Sequence, residues 1–360
     1  MLGAVLWNVG DEQLEVRDDL ELVAAPGPGE VQVRVRAAGL CHTDLSIMDG
    51  TLPSATPGVL GHEAAGEVTA VGDGVAGVEP GAHVILTWVP PCGRCLSCLG
   101  GQANLCENAN PFEQAPRYRA GDAELFPLAN IGAFTEEIIV PVESLVVIPD
   151  DVPFHIAAVV GCAVMTGVGA AINTAGLEPG SSVVVYGCGG VGLSVIQGAR
   201  VAGAAELVAV DPSPSRREKA LQMGATHAIA PGEIATVGAE IHDGRGFDVG
   251  FEAVGRPQTI RDAYDEVRRG GTMVVVGAGG LDQYVEFSAF ELFYNEKKLL
   301  GSLYGSADPR RDFHRVLRLW RAGRLDLESL VTSRLKLPEI NDGIDAMRKA
   351  EGIRHVVEFA

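Results

Sequence analysis

The stretch Gly187-Cys-Gly-Gly-Val-Gly192 constrains the fold of this 360-residue chain more than any other. It follows the apolar run Ser182–Tyr186 and opens a helical pattern over Val191–Ala202. An acidic residue, Asp211, ends the next apolar run 19 residues after Gly192. In that setting the glycines read as a dinucleotide-binding turn, the bland alternative being a turn that binds nothing. Gly187 permits the sharp bend. Gly189, with Gly190 beside it, lets backbone amides approach a pyrophosphate, and Gly192 lets the helix pack on the strand. Unpaired N–H groups at the helix start then meet the phosphate charge. Asp211 is placed to accept hydrogen bonds from the adenosine ribose and would repel a 2′-phosphate, so NAD is expected rather than NADP.

The pattern around this turn repeats. Apolar runs of 4–7 residues, Val183–Tyr186, Leu207–Val210, Phe247–Phe251 and Thr272–Val276, alternate with helical segments, as in a parallel sheet covered on both faces. An apolar helical stretch, Ile156–Thr174, precedes them. The first 150 or so residues differ: short alternating runs such as Val31–Arg36, punctuated by Gly and Pro, suggest a small barrel-like antiparallel domain. The alternation stops near Tyr304, and the length itself favours two domains.

The net charge of −19 argues against nucleic acid or an anionic membrane as partner, because both need a positive field. The Arg-rich segment Arg310–Arg324 is a local exception; interleaved Phe313, Val316, Leu317 and Trp320 make its arginines the wet face of an amphipathic helix. No run reaches the roughly 18 consecutive apolar residues of a bilayer span, and the N-terminus has no basic leader. A cytoplasmic location is therefore expected, with the seven cysteines reduced and bound to metal, catalytic or buried.

Four of those cysteines, Cys92, Cys95, Cys98 and Cys106, lie within 15 residues. Their thiolates can close a tetrahedron around zinc with no open position, the character of a structural site. An iron–sulfur cluster is the rival, but the last gap does not fit the ferredoxin spacing. Cys41, His62 and Cys162 are dispersed. They could hold a zinc with a fourth position left for substrate, but equally each could be an ordinary buried thiol or hydrogen-bonded imidazole. Cys188 has no visible partner and reads as packing.

Taken in order, Gly39-Leu-Cys-His-Thr-Asp-Leu45, Gly61-His-Glu-Ala-Ala-Gly-Glu-Val68, the four-cysteine loop, Gly161-Cys-Ala-Val-Met-Thr166, Gly187–Gly192 and Ile353-Arg354 resemble the zinc-dependent alcohol dehydrogenases of the medium-chain dehydrogenase/reductase superfamily. The resemblance runs along essentially the whole chain. It implies an α/β protein: a GroES-like β-rich catalytic domain built from residues 1–163 and 305–360, with a Rossmann doubly wound parallel-sheet domain, 164–304, inserted. It implies NAD and two zinc ions per chain, one catalytic at Cys41, His62 and Cys162 and one structural at the four-cysteine loop.

The same resemblance implies roles. Glu63 would sit beside the catalytic zinc and coordinate it transiently, and Asp44 would orient His62. Thr43 would hydrogen-bond the substrate oxygen, and Trp88 would line the substrate pocket. His42 and Arg354 would face the pyrophosphate, Arg216 the adenosine side, and Thr166 and Val191 the nicotinamide ring. The implied reaction moves a hydride between NAD and an alcohol, primary or aromatic, interconverting it with an aldehyde or ketone. The implied partners are small molecules and further copies of the chain, as a homodimer or homotetramer. Two positions depart from relatives: Ser46 stands where many carry a histidine that ends the proton relay, and Asn110 where glutathione-dependent formaldehyde dehydrogenases carry an arginine. A formaldehyde dehydrogenase acting on a thiol adduct is the alternative reading. An NAD-binding protein without turnover is a lesser one.

Overall fold

Alternation of apolar and polar side chains makes Glu30–Gly39 a strand with Val31, Val33 and Val35 buried on one face and Arg34 turned outward. In this computed structural model, which describes all 360 residues, it lies inside a seven-stranded sheet. The order is Leu145–Val147, His83–Leu86, Glu63–Val71, Glu30–Gly39, Arg354–Glu358 and Val331–Leu335, with Glu137–Pro141 also paired to Glu30–Gly39. A six-stranded sheet of shorter strands shares the same core, which includes Val5, Leu6, Val33, Leu45, Phe134 and Ile138. The last strand of the chain runs antiparallel to its first long one, with Val356 opposite Gly39. Both chain ends therefore belong to one compact unit: Met1–Cys162, Asp308–His314 and Leu327–Ala360.

The second unit, Ala163–Ala307 with Arg315–Asp326, is built on strands without alternation. Val183, Val184 and Val185 are all fully buried, as are Val208 and Ala209, because helices cover both sheet faces. Six parallel strands run in the order His227–Ile229, Glu206–Val210, Ser182–Tyr186, Phe247–Glu252, Val267–Val275 and Lys298–Gly301. Counted along the chain this is 3-2-1-4-5-6, so the order reverses at Ser182–Tyr186, where a doubly wound sheet binds its ligand. The fold is that of a GroES-like domain joined to a Rossmann sheet.

The helical stretch Phe154–Thr174 is 21 residues long with hydropathy 1.9 in its most apolar window, long and apolar enough to cross a membrane. A count of consecutive apolar residues misses it because His155 and Thr166 interrupt the run. In the structure 89% of that window is buried, so its apolarity is spent on the protein interior. Two π-helical turns, Val160–Val164 and Ala170–Thr174, interrupt its α-helical geometry. Between them Gly167 lies against the helix Gly190–Ala202: a Cβ there would overlap the Val191 carbonyl and stand 2.7 Å from the Val195 nitrogen. Gly167→Ala is expected to destabilise the protein by about 1–3 kcal/mol, the range for overpacked sites. A thermal midpoint equal to wild type would show that the two helices can separate without loss.

Candidate active site

Cys41 caps the short helix His42–Met48, and its backbone N–H donates to Asp44 Oδ2 at 2.9 Å. The other Asp44 oxygen accepts from the Gly61 N–H at 3.1 Å and lies 3.5 Å from His62 Nδ1. Gly61 has φ +90°, and a Cβ on it would meet the Phe134 ring at 2.7 Å, so only glycine leads the chain this way into His62. Glu63 begins its strand directly after. Cys162 arrives on the first π-helical turn, a local widening that recurs at functional positions. One donor atom from each of Cys41, His62, Glu63 and Cys162 lies within 4.8 Å of all the others, and all four residues are buried.

Charge inside this cluster is strongly polarised. The hydrogen bond from Cys162 holds the Cys41 thiol well below its ordinary range, against burial and with help from His62 and Arg354. The same bond and burial raise Cys162. Burial alone would lower His62, but the charges of Asp44 and Cys41 outweigh it and push the imidazole well above its usual value. Burial pushes Glu63 up to about 8, although Arg354 and His62 pull against it. Arg354 is ion-paired with Glu63 Oε2, while Glu63 Oε1, His62 Nδ1 and Arg354 Nε are buried without hydrogen-bond partners. Two sulfurs, an imidazole and a half-satisfied carboxyl converging in a dry site fit a zinc ion.

The four-cysteine loop forms the second donor set, again with all sulfurs within 4.8 Å. Its tight turns aim N–H groups at sulfur: Cys95 N–H at Cys92 (3.4 Å), Cys98 N–H at Cys95 (3.4 Å) and Cys92 N–H at Cys106 (3.3 Å). The Asn108 amide adds a bond to Cys92 at 3.2 Å. The Arg94 N–H, followed by Asn108, lowers Cys92 to about 6, whereas burial raises Cys98 to about 12. Four thiols can fill a tetrahedron completely, so this set fits a structural zinc. No disulfide is formed by any of the seven cysteines.

At the end of Ser182–Tyr186, Gly187 has φ +91° and packs so close to Val254 that a Cβ would stand 2.6 Å from its Cγ2. A Cβ on Gly192 would overlap the Gly187 carbonyl. Gly189 is different: nothing lies within 4 Å of its Cβ position, so the space before the helix start is open. Gly190 opens that helix and Val191 is half-buried beside it. Asp211 reaches back to the turn, accepting from the Cys188 N–H and the Ser213 N–H, both at 2.8 Å. The thiol of Cys188 is fully buried and raised by that burial, in keeping with packing.

The remaining singled-out residues divide. His42 is exposed, Thr43 and Trp88 are half-buried, and the Thr43 hydroxyl lies 3.6 Å from the Cys41 sulfur. Thr166 is buried in its helix. Arg354 has a partner that the sequence did not announce, Glu63, 291 positions away. The Ser213 hydroxyl caps the helix by accepting from the Arg216 backbone N–H, and it is the neighbouring Arg217 whose side chain donates to the Asp211 and Pro212 carbonyls. Arg217 and Asn108 were missed because adjacent arginines, and an Asn just past a cysteine, carry no spacing signal.

Donors that could hold a zinc ion and a glycine turn open to a dinucleotide, on the same chain, are the equipment of a zinc-dependent, nicotinamide-linked oxidoreductase. The Alcohol dehydrogenase GroES-like domain family matches residues 27–150, and the Zinc-binding dehydrogenase family matches residues 190–322. The chain is 39% identical to the NDMA-dependent alcohol dehydrogenase of Amycolatopsis methanolica, over 98% of this chain and 97% of that protein. It is 35% identical to the S-(hydroxymethyl)glutathione dehydrogenase of Synechocystis sp., over 99% of each. The crystal structure of benzyl alcohol dehydrogenase from Acinetobacter calcoaceticus matches with TM-score 0.91 at 31% identity, covering 100% of this chain and 99% of that one. The chain belongs to the zinc-dependent alcohol dehydrogenase family of the medium-chain dehydrogenase/reductase superfamily. It is an NAD-dependent zinc oxidoreductase of small-molecule alcohols and aldehydes.

Removing the charge of Asp44 isolates one site from the other. Asp44→Asn is expected to weaken zinc binding at Cys41, His62 and Cys162 by about 10–100-fold, the usual loss for a partner of a ligating histidine. Chelator dialysis followed by elemental analysis should then leave zinc only in the four-cysteine set, whereas equal retention in both sets would show that Asp44 does not orient His62.

Proposed function

We propose that the protein interconverts a primary or aromatic alcohol with its aldehyde at Cys41, His62 and Cys162. The convergence of those donors with Glu63, all within 4.8 Å, carries the reading. Zinc at this set supplies Lewis acidity that lowers the pKa of an alcohol oxygen toward neutrality, and NAD supplies the hydride acceptor. The Thr43 hydroxyl, 3.6 Å from the Cys41 sulfur, hydrogen-bonds the substrate oxygen and relays its proton, accepting it while passing its own hydroxyl proton outward toward solvent. Asp44 holds His62, and Glu63, balanced by Arg354, stands as the fourth donor when no substrate is present. Trp88 lines the substrate side. His42 and Arg354 serve the coenzyme phosphates, Asp211 and Arg216 the adenosine end, and Thr166 and Val191 the nicotinamide.

The benzyl alcohol dehydrogenase neighbour supports an aromatic substrate. A second reading, oxidation of a formaldehyde–thiol adduct, is favoured by the S-(hydroxymethyl)glutathione dehydrogenase relative. It is weakened by Asn110, whose side-chain oxygen accepts from the Phe112 N–H and brings no charge for an adduct carboxylate. NADH formation across plain primary and benzylic alcohols, and with formaldehyde plus glutathione or mycothiol, separates the two. Turnover only in the presence of a thiol would overturn the first reading.

Self-association as a homodimer or homotetramer has support in the second unit. Lys298–Gly301 is an edge strand with half its pairing capacity unused, and Phe290, Phe293, Tyr294, Tyr284 and Leu281 are exposed on the segments leading to it.

Ser46 is half-buried and cannot act as a base near neutral pH. Ser46→His is expected to add a group titrating near 6.5 to the outer end of the proton path, so the acid limb of the kcat profile should move. A superimposable pH profile would place position 46 outside that path.

A further inference from the structure

Glu252 is a buried acid that the reaction leaves unused. It ends the strand Phe247–Glu252, beside Ser182–Tyr186, and is fully buried. Its Oε1 accepts three hydrogen bonds, from the N–H groups of Val254 (3.0 Å) and Gly255 (2.8 Å) and from the Thr259 hydroxyl (2.6 Å). Its Oε2 is buried without a partner. The Glu252 carbonyl accepts from Val276 N–H at 2.8 Å and Gly277 N–H at 3.0 Å, tying the same point to the next strand. A carboxyl in apolar surroundings is costly to keep, and burial pushes this one above its usual range.

The turn held in this way, Ala253–Gly255, backs directly onto the glycine turn. Ala253 N–H donates to the Tyr186 carbonyl at 2.8 Å, and Val254 Cγ2 occupies the space a Gly187 side chain would need. A Cβ on Gly192 would stand 3.6 Å from the Ala253 methyl. Gly255 has φ +84°, and a Cβ there would approach the Ala278 carbonyl carbon to 2.6 Å, so the turn is hemmed in from its far side as well. Two of its three N–H groups, those of Val254 and Gly255, end on the Glu252 oxygen, which fixes that end of the turn.

We propose that Glu252 is a positioning residue for coenzyme binding, fixing Ala253–Gly255 as the rigid backing of Gly187–Gly192. The proposal rests on the reading of Gly187–Gly192 as the NAD turn. It separates the role of Oε1, which sets the turn, from that of Oε2, which bears only on stability.

Equilibrium titration of the zinc-loaded protein with NADH, followed by fluorescence, tests it beside the thermal midpoint. Glu252→Gln retains an oxygen at Oε1 but buries an unpartnered NH2, so it should lower the midpoint while the NADH Kd stays within about twofold. Glu252→Leu removes Oε1 and should weaken NADH about tenfold, with the alcohol KM at saturating NAD nearly unchanged. Thr259→Val, which deletes one donor and leaves the strand intact, should weaken NADH about threefold and decides the matter if Glu252→Leu does not fold. A wild-type Kd in Glu252→Leu, or in Thr259→Val where that variant alone is folded, overturns the proposal. Failure of the wild-type protein to bind NADH would instead overturn the NAD reading beneath it.

Discussion

One carboxyl group, that of Asp44, holds together the two segments that carry the first metal donors. One of its oxygens takes the N–H of Cys41 and the other takes the N–H of Gly61, so the end of one strand and the start of the next are pinned to a single point. The charge is 1% exposed, a location that would be prohibitive without donors. Two backbone N–H groups provide them, and the His62 imidazole stands 3.5 Å from the same carboxylate. Remove that charge and the positions of Cys41 and His62 become independent, while Cys162, brought in from a separate helix, has nothing fixed to meet.

The two metal sets show how local geometry decides chemistry. In the cysteine loop, N–H groups and the Asn108 amide point at sulfur, so negative charge is stabilised in a four-thiol shell that leaves no open position. At Cys41, His62 and Cys162 the charge is balanced by groups further out, Asp44 on one side and the Glu63–Arg354 pair on the other. Stabilisation from outside leaves the centre free for substrate. A ring of direct donors does not.

Much of this was legible in the sequence where the determinants are contiguous. The strand before the glycine turn, the turn itself and the cysteine loop each lie within a short window, and their boundaries fall within a residue or two of those seen. The short edge strands His227–Ile229 and Lys298–Gly301 were not, since each has few residues and little apolar character to distinguish it from a loop. The π-helical turns left no trace, because one extra residue per turn does not alter an already apolar pattern. The line between the units falls inside the helix Pro309–Arg321, where a continuous amphipathic pattern gives no sign of it. Cys41, His62 and Cys162 carry no spacing constraint of their own, and only resemblance to a family joined them. The Glu63–Arg354 pair shows the same limit, since its members meet through the closing of the sheet by the last strand.

The unequal reach of the two donor sets has a consequence for how the chain matures. The cysteine loop spans 15 residues, while the other set must bring together positions from 41 to 162. The difference in loop closure is about 2 kcal/mol in favour of the shorter span. A newly made chain can therefore satisfy its sulfur-only shell while the larger one is still assembling. Where metal is scarce, that difference favours filling the sulfur-only shell first, so a chain holding a single ion would be built but not yet able to react.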